Sequence, residues 1–174
     1  MKLRVYPSRE ALMAGLAEVI AGELRAGLAA GPVTLSVPGG ATPGPVFDAL
    51  NGVDLDWSRV AVVLNDERWV GEDSDRSNTR LLRERLLQRH AANAKVLPLY
   101  APVATPEEGL AMLAAGIAPH LPITVLLLGM GGDMHTASLF PGADRLVEAL
   151  APDAPVWLRV SVQLFSVPFL APVK

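Results

Sequence analysis

Apolar positions along this chain change their spacing at regular intervals, and each change marks an element. After Ser8, a residue suited to capping a helix, Leu12, Leu16, Val19, Ile20 and Leu24 recur near the 3.6-residue period until Gly31 and Pro32 stop the run. Residues 33–37, VTLSV, are continuous and β-branched, the pattern of a buried parallel strand. A turn rich in glycine and proline follows. Val46, Phe47 and Leu50 then predict a short helix, with Thr42 as its N-cap and Pro43 at its first position.

The same alternation repeats. Residues 60–64 predict a second strand. Ser77 predicts the cap of a helix with Leu81, Leu82 and Leu86 inward and Arg80, Arg83, Glu84 and Arg85 outward. Residues 95–99 predict a third strand. Thr105-Pro106-Glu107-Glu108 opens a further helix, with acids at its positive end, that closes near Pro119. Residues 123–128, ITVLLL, predict a fourth, buried strand that empties into glycines. Strands alternating with amphipathic helices imply an α/β fold: a mostly parallel, open, Rossmann-like sheet with helices on both faces. Its ligand loops should lie at the carboxyl ends of the strands.

Composition narrows the function. At 174 residues the chain suits one domain, and 51% hydrophobic with 19% charged residues describes a globular protein. A formal net charge of −3 speaks against nucleic-acid binding and against a polybasic membrane role. The chain has no cysteine, which excludes disulfides, thiolate catalysis and cysteine-ligated zinc. No apolar core follows Met1-Lys2-Leu3-Arg4 to make a signal peptide, so the expected compartment is the cytoplasm.

Three strand-end loops carry chemistry. In the first, Gly39, Gly40, Ala41 and Thr42 precede a helix start, an arrangement suited to phosphate. It matches neither GxGxxG nor a P-loop, which disfavours a nucleotide, and a tight turn without ligand explains it equally well. In the second, Asp66, Glu67 and Arg68 offer a guanidinium that can grip phosphate or carboxylate, although a salt-bridge cluster also explains a lone DER. No spacing among Asp66, Glu67, Asp73 and Asp75 supports a metal, so neither metal nor cofactor is expected. The third loop runs from Gly129 through Gly131, Gly132 and Asp133 to His135. His90 and His120 fall at expected helix ends, whereas His135 stands at the sheet's ligand end, where imidazole serves proton transfer near neutral pH. Asp133 is close enough to orient its ring. Ser138 lacks a nucleophile elbow, so a serine triad is not expected.

Together the strings PGGATP (38–43), DERWV (66–70) with Ser77-Asn78, and LGMGGDMHTASLFPG (128–142) resemble the family of glucosamine-6-phosphate isomerases and 6-phosphogluconolactonases. Ser138, Leu139, Phe140 and Arg68 are similar to the lactonase branch rather than the deaminase branch. The resemblance implies hydrolysis of 6-phospho-D-glucono-1,5-lactone to 6-phosphogluconate, in the oxidative pentose phosphate pathway, without metal or nucleotide. It implies His135 as general base, Asp133 as its orienter and Arg68 as a catalytic or phosphate-holding cation. Gly39, Gly40, Ala41, Thr42, Asp66, Gly131 and Gly132 would complete the substrate site. A deaminase or isomerase of sugar phosphates, and a non-catalytic sugar-phosphate binder, stand as alternatives.

The chain departs from the resemblance at four places. Met134 stands where the family has glycine, Gly132 replaces a usual acid, and Ala41 replaces a common serine. A side chain at 134 would restrict positive φ and crowd His135. The resemblance covers residues 1–155, while 156–174 read as a divergent tail whose apolar end is interrupted by Pro168 and Pro172. Twelve arginines against three lysines suggest GC-rich coding, and the expectation is that a truncation or frameshift, rather than a natural short form, replaced the family's C-terminal part.

Overall fold

The computed structural model describes residues 2–151 and 154, together with the backbone of 157–162 and 165–170. Helix α1 spans Arg9–Leu28, and the Ser8 hydroxyl accepts from the Ala11 amide at 3.2 Å, as a capping serine should. Its buried face is Ala17, Ile20, Ala21, Leu24 and Leu28, and Leu12 lies outside that stripe, exposed. Strand β1 (Val33–Val37) and strand β2 (Val60–Leu64) are buried at every position, as two-sided coverage requires.

Helix α2 is Gly44–Leu50, and here the predicted cap is corrected. The Pro43 carbonyl accepts from the Val46 and Phe47 amides, so Pro43 takes the N-cap position and Thr42 stays outside, exposed and without a capping bond. Helix α3 (Asn78–Arg85) starts as predicted, the Ser77 hydroxyl accepting from the Arg80 amide at 3.2 Å. Strand β3 is Lys95–Leu97, shorter than predicted because Pro98 has no N–H to continue the ladder. Helix α4 (Pro106–Ile117) ends in a short 3-10 turn, Ala118–His120.

Strand β4 corrects a second expectation. Its paired core is only Val125–Leu126, and residues 121–128 alternate between half-buried and exposed instead of being buried throughout. The cause is position: the parallel sheet has the order β3-β2-β1-β4, which leaves β4 at an edge with β1 as its one partner among the described residues. Helix α1 packs on α2 and α2 on α3, which places all three on one face. The crossover from β3 to β4 runs back across the sheet, so its right-handed path puts α4 on the other face. The chain therefore changes winding direction between β1 and β4. That switch point opens a crevice at the carboxyl ends of the strands.

Phe47, Leu50, Trp57, Leu82, Leu86 and Ile117 fill the core beside β1 and β2, each at 1% exposure or less. A short helix α5, Leu146–Ala149, follows the third loop. Within the predicted tail, β5 (Trp157–Val162) and β6 (Phe165–Leu170) pair antiparallel in a separate two-stranded sheet, with Arg159 opposite Pro168. A proline is compatible with a strand that has a free edge, so Pro168 does not interrupt β6. Pro172 lies outside the described residues.

Candidate active site

The three loops predicted from sequence meet around one cavity of about 880 Å³ at the switch point. Gly39, Gly40 and Thr42 from the β1 loop, Asp66 and Arg68 from the β2 loop, and Gly131, Asp133 and His135 from the β4 loop all line it. Ala41 and Gly132 are exposed and outside the lining.

The β2 loop is built around Glu67, to which the sequence assigns no more than a place in a strand-end DER. Glu67 has 0% exposure, and its carboxylate accepts from five donors. These are the amides of Arg68 (2.8 Å), Asn78 (2.8 Å) and Thr79 (2.7 Å) and the hydroxyls of Thr79 (2.6 Å) and Ser77 (3.2 Å). A carboxylate on the first amides of α3 satisfies donors that no helical carbonyl can reach, and it lies at the positive end of the helix. Glu67 thereby rivets the end of β2 to α3 and fixes Asp66 and Arg68 on either side of itself.

Asn78, at the first position of α3, carries that rivet to the glycine loop. Its Nδ2 donates to the Asp66 carbonyl at 3.1 Å and to Asp66 Oδ2 at 3.3 Å, while its Oδ1 accepts from the Gly40 amide at 3.4 Å. A Cβ on Gly39 would fall 2.1 Å from the Asn78 carboxamide, so only glycine permits this approach. Gly40 turns the chain with φ +77°. Burial pushes the Asp66 carboxyl above the usual carboxylate range, against the nearby Arg68 charge and the Gly39 amide that lower it. Two amides of the expected phosphate loop, Gly39 and Gly40, are thus already engaged by Asp66 and Asn78.

The β4 loop is a tight turn. The Met134 amide donates to the Gly131 carbonyl and the Gly131 amide to the His135 carbonyl, both at 2.9 Å. A Cβ on Gly131 would meet the His135 ring at 2.3 Å. His135 Nδ1 bonds Asp133 Oδ1, and the ring stacks on Phe140 with centroids 4.5 Å apart and planes inclined by 15°. The bond from the His135 ring holds the exposed Asp133 carboxyl below the usual carboxylate range. An ionised Asp133 can only accept, so in the neutral ring Nδ1 carries the proton and Nε2 keeps the lone pair.

Met134 adopts φ +69° and exposes its side chain to solvent at 72%. The crowding expected beside His135 is therefore absent. What remains is the backbone cost of a non-glycine residue in the left-handed region, about 1–2 kcal/mol. Ser138 is fully buried and its hydroxyl has no hydrogen-bond partner, which leaves no path for it to act as a nucleophile. Among the described residues no three His, Asp or Glu side chains group as metal ligands do, and no helix is long and apolar enough to cross a membrane.

A family model described as glucosamine-6-phosphate isomerases/6-phosphogluconolactonase matches residues 7–162. The chain belongs to this family. It is 44% identical to the 6-phosphogluconolactonase of Rhizobium meliloti (strain 1021) over 156 residues, 88% of this chain and 67% of that protein. It is also 44% identical to the Pseudomonas aeruginosa 6-phosphogluconolactonase over 167 residues, 89% of this chain and 68% of that one. The crystal structure of a 6-phosphogluconolactonase from Shewanella baltica superposes with a TM-score of 0.89 at 38% identity, covering 95% of this chain and 72% of that one. The chain thus spans about two thirds of the length of these curated relatives.

Sequence reading misses the roles of Glu67, Asn78 and Phe140 in building this cavity. The available signals are Ser77 and Thr79 flanking Asn78 at a helix start and the aromatic residue five positions after His135. Neither spacing says which residues meet in space. Met13 and Leu16 of α1, which also line the cavity, show only a helical period.

Proposed function

We propose that the chain hydrolyses 6-phospho-D-glucono-1,5-lactone to 6-phosphogluconate, the ester-opening step of the oxidative pentose phosphate pathway. The observation that carries this reading is the His135 ring, clamped between Asp133 and Phe140 at the cavity wall with Nε2 as its basic nitrogen. Arg68, with the loop from Gly39 to Thr42, holds the phosphate at one end and so sets the position of the lactone ring. The Ala41 and Thr42 amides are the ones in this loop not engaged by Asp66 or Asn78.

His135 Nε2 takes a proton from water as the water oxygen bonds to the lactone carbonyl carbon. The tetrahedral intermediate collapses by breaking the bond to the ring oxygen, and His135 returns the proton to that oxygen as it leaves. Asp133 supports the ring while it is positively charged. Amides of the Gly131–Gly132 turn, or Arg68, stabilise the oxyanion. Glu67 takes no part in the chemistry, since all its bonds are spent on the β2 loop and α3. The substrate is a sugar phosphate, and the reading requires no metal, nucleotide or nucleic acid; the expected compartment is the cytoplasm.

Adding purified protein to freshly generated lactone should raise 6-phosphogluconate formation above the spontaneous rate. A rate equal to the spontaneous one refutes the reading, and ammonia release from glucosamine 6-phosphate would point to the deaminase branch instead.

A further inference from the structure

A polar pair is buried in the mostly apolar layer of β1 and β2. Ser36 on β1 and Asn65 at the end of β2 are 0% and 2% exposed. The Ser36 hydroxyl donates to Asn65 Oδ1 at 2.5 Å, and Asn65 Nδ2 donates to the Leu127 carbonyl at 2.8 Å, while the Asn65 backbone amide donates to Val37 at 2.8 Å. One side chain on β2 thus reaches past β1 and holds the chain leaving β4.

We propose that Asn65 is a positioning residue for His135, acting through the Leu127 carbonyl; this rests on the reading of His135 as the base. Strand β4 is weakly anchored, with two paired residues flanked by the Thr124 amide on Thr34 and the Leu127 amide on Ser36, each at 2.9 Å. Beyond Leu127, the backbone bonds among residues 128–139 are internal to the loop: Gly131 with His135, Met134 with Gly131, and Thr136 with Leu139. The Leu127 peptide is therefore the fixed root from which the loop carrying His135 projects. Apolar packing would bury the same volume without orienting that carbonyl, whereas a hydrogen bond is directional. A well-packed apolar pair is often no less stable than a buried polar one. The function of Ser36 and Asn65 is therefore geometric.

The test uses Asn65→Ala and Ser36→Ala, with Asn51→Ala as a control. Asn51 is similarly buried, at 7% exposure, and its amide donates to the Arg85 carbonyl at 2.8 Å, away from the cavity lining. Kinetics on the lactone are combined with NMR of the histidine ring nitrogens, the His135 signals being assigned by comparison with His135→Gln. Asn65→Ala should lower kcat by roughly 10–100-fold with little change in KM, as expected when a base is displaced by less than about 1 Å and the phosphate grip is untouched. Its His135 ring should also lose the Nδ1-protonated tautomer in favour of a mixture, while His90 and His120 stay put. Ser36→Ala should move both readouts the same way by less, and it carries the test if Asn65→Ala does not fold. Asn51→Ala should lower only thermal stability. Unchanged His135 signals in the Asn65 and Ser36 variants, or an equal loss of kcat in Asn51→Ala, would overturn the assignment. Absence of turnover in the unaltered protein would count against the lactonase reading alone, because the ring signals still decide the role of Asn65.

Discussion

The cavity has two walls built by different means. On the β1–β2 side, a buried carboxylate with five donors, a bridging carboxamide and a glycine with no room for a Cβ lock two loops together. On the β4 side, an edge strand of two residues supports an exposed turn that contains two non-glycine residues at positive φ, Met134 and Ala137. The two aspartates of the cavity register the contrast. Asp66 is raised by burial, whereas Asp133, in solvent, is lowered by its bond from His135. The closed wall suits a fixed phosphate grip. The open wall carries His135, the proposed base, and a group in that role needs access to water.

The sharpest way to separate the walls is to remove chemistry from one and structure from the other. His135→Ala should lower kcat by about 10²–10⁴ with little change in melting temperature, because its ring is partly exposed and bonded only within its own loop. Steady-state kinetics beside thermal melts will check this, and retained turnover would remove His135 from the mechanism. Glu67→Ala should act first on stability. It leaves five donors without their acceptor and should cost about 3 kcal/mol or more of stability, seen in denaturant unfolding. A loss below about 1 kcal/mol would show that the rivet is dispensable.

Smaller effects probe the open wall alone. Met134→Gly relieves a φ of +69° but loosens the unfolded chain, so a net gain of about 0.5–1 kcal/mol is expected from unfolding curves. The weakest effect is acid release of the turn. Because the folded Asp133 carboxyl is lowered, its contribution is complete above the ordinary aspartate pKa and is lost as pH falls through the lowered value. Asp66 has the opposite sign: its raised pKa makes the folded state less stable as pH climbs from the ordinary value through the raised one. As pH is lowered, loop amide signals around Asp66 should therefore change first, above the ordinary aspartate value, and those around Asp133 last, below it.

Much of this architecture is legible in the order of the residues. β1 and β2 can be read to the residue because both faces are covered and every position is apolar or small. Three loaded loops can be read because parallel strands deliver their carboxyl ends to one side. β4 departs from its expectation because ITVLLL looks the same at an edge as in the centre, and periodicity cannot report how many neighbours a strand has. Thr42 departs because local capping preference loses to the turn that starts α2 at Pro43. Glu67 reads only as part of a strand-end DER, a candidate salt-bridge cluster, because most of its partners lie ten to twelve residues away, across the turn into α3.

Local periodicity and contiguous strings were enough to read the alternation of elements, the sheet type, the family and His135 as the candidate base. Which side chains meet across the sheet depends on the tertiary fold. Asn65 reaches Leu127 from 62 positions away, and Asn78 reaches Gly40 from 38. Hydrogen bonds across a sheet join residues whose separation along the chain has no period to read.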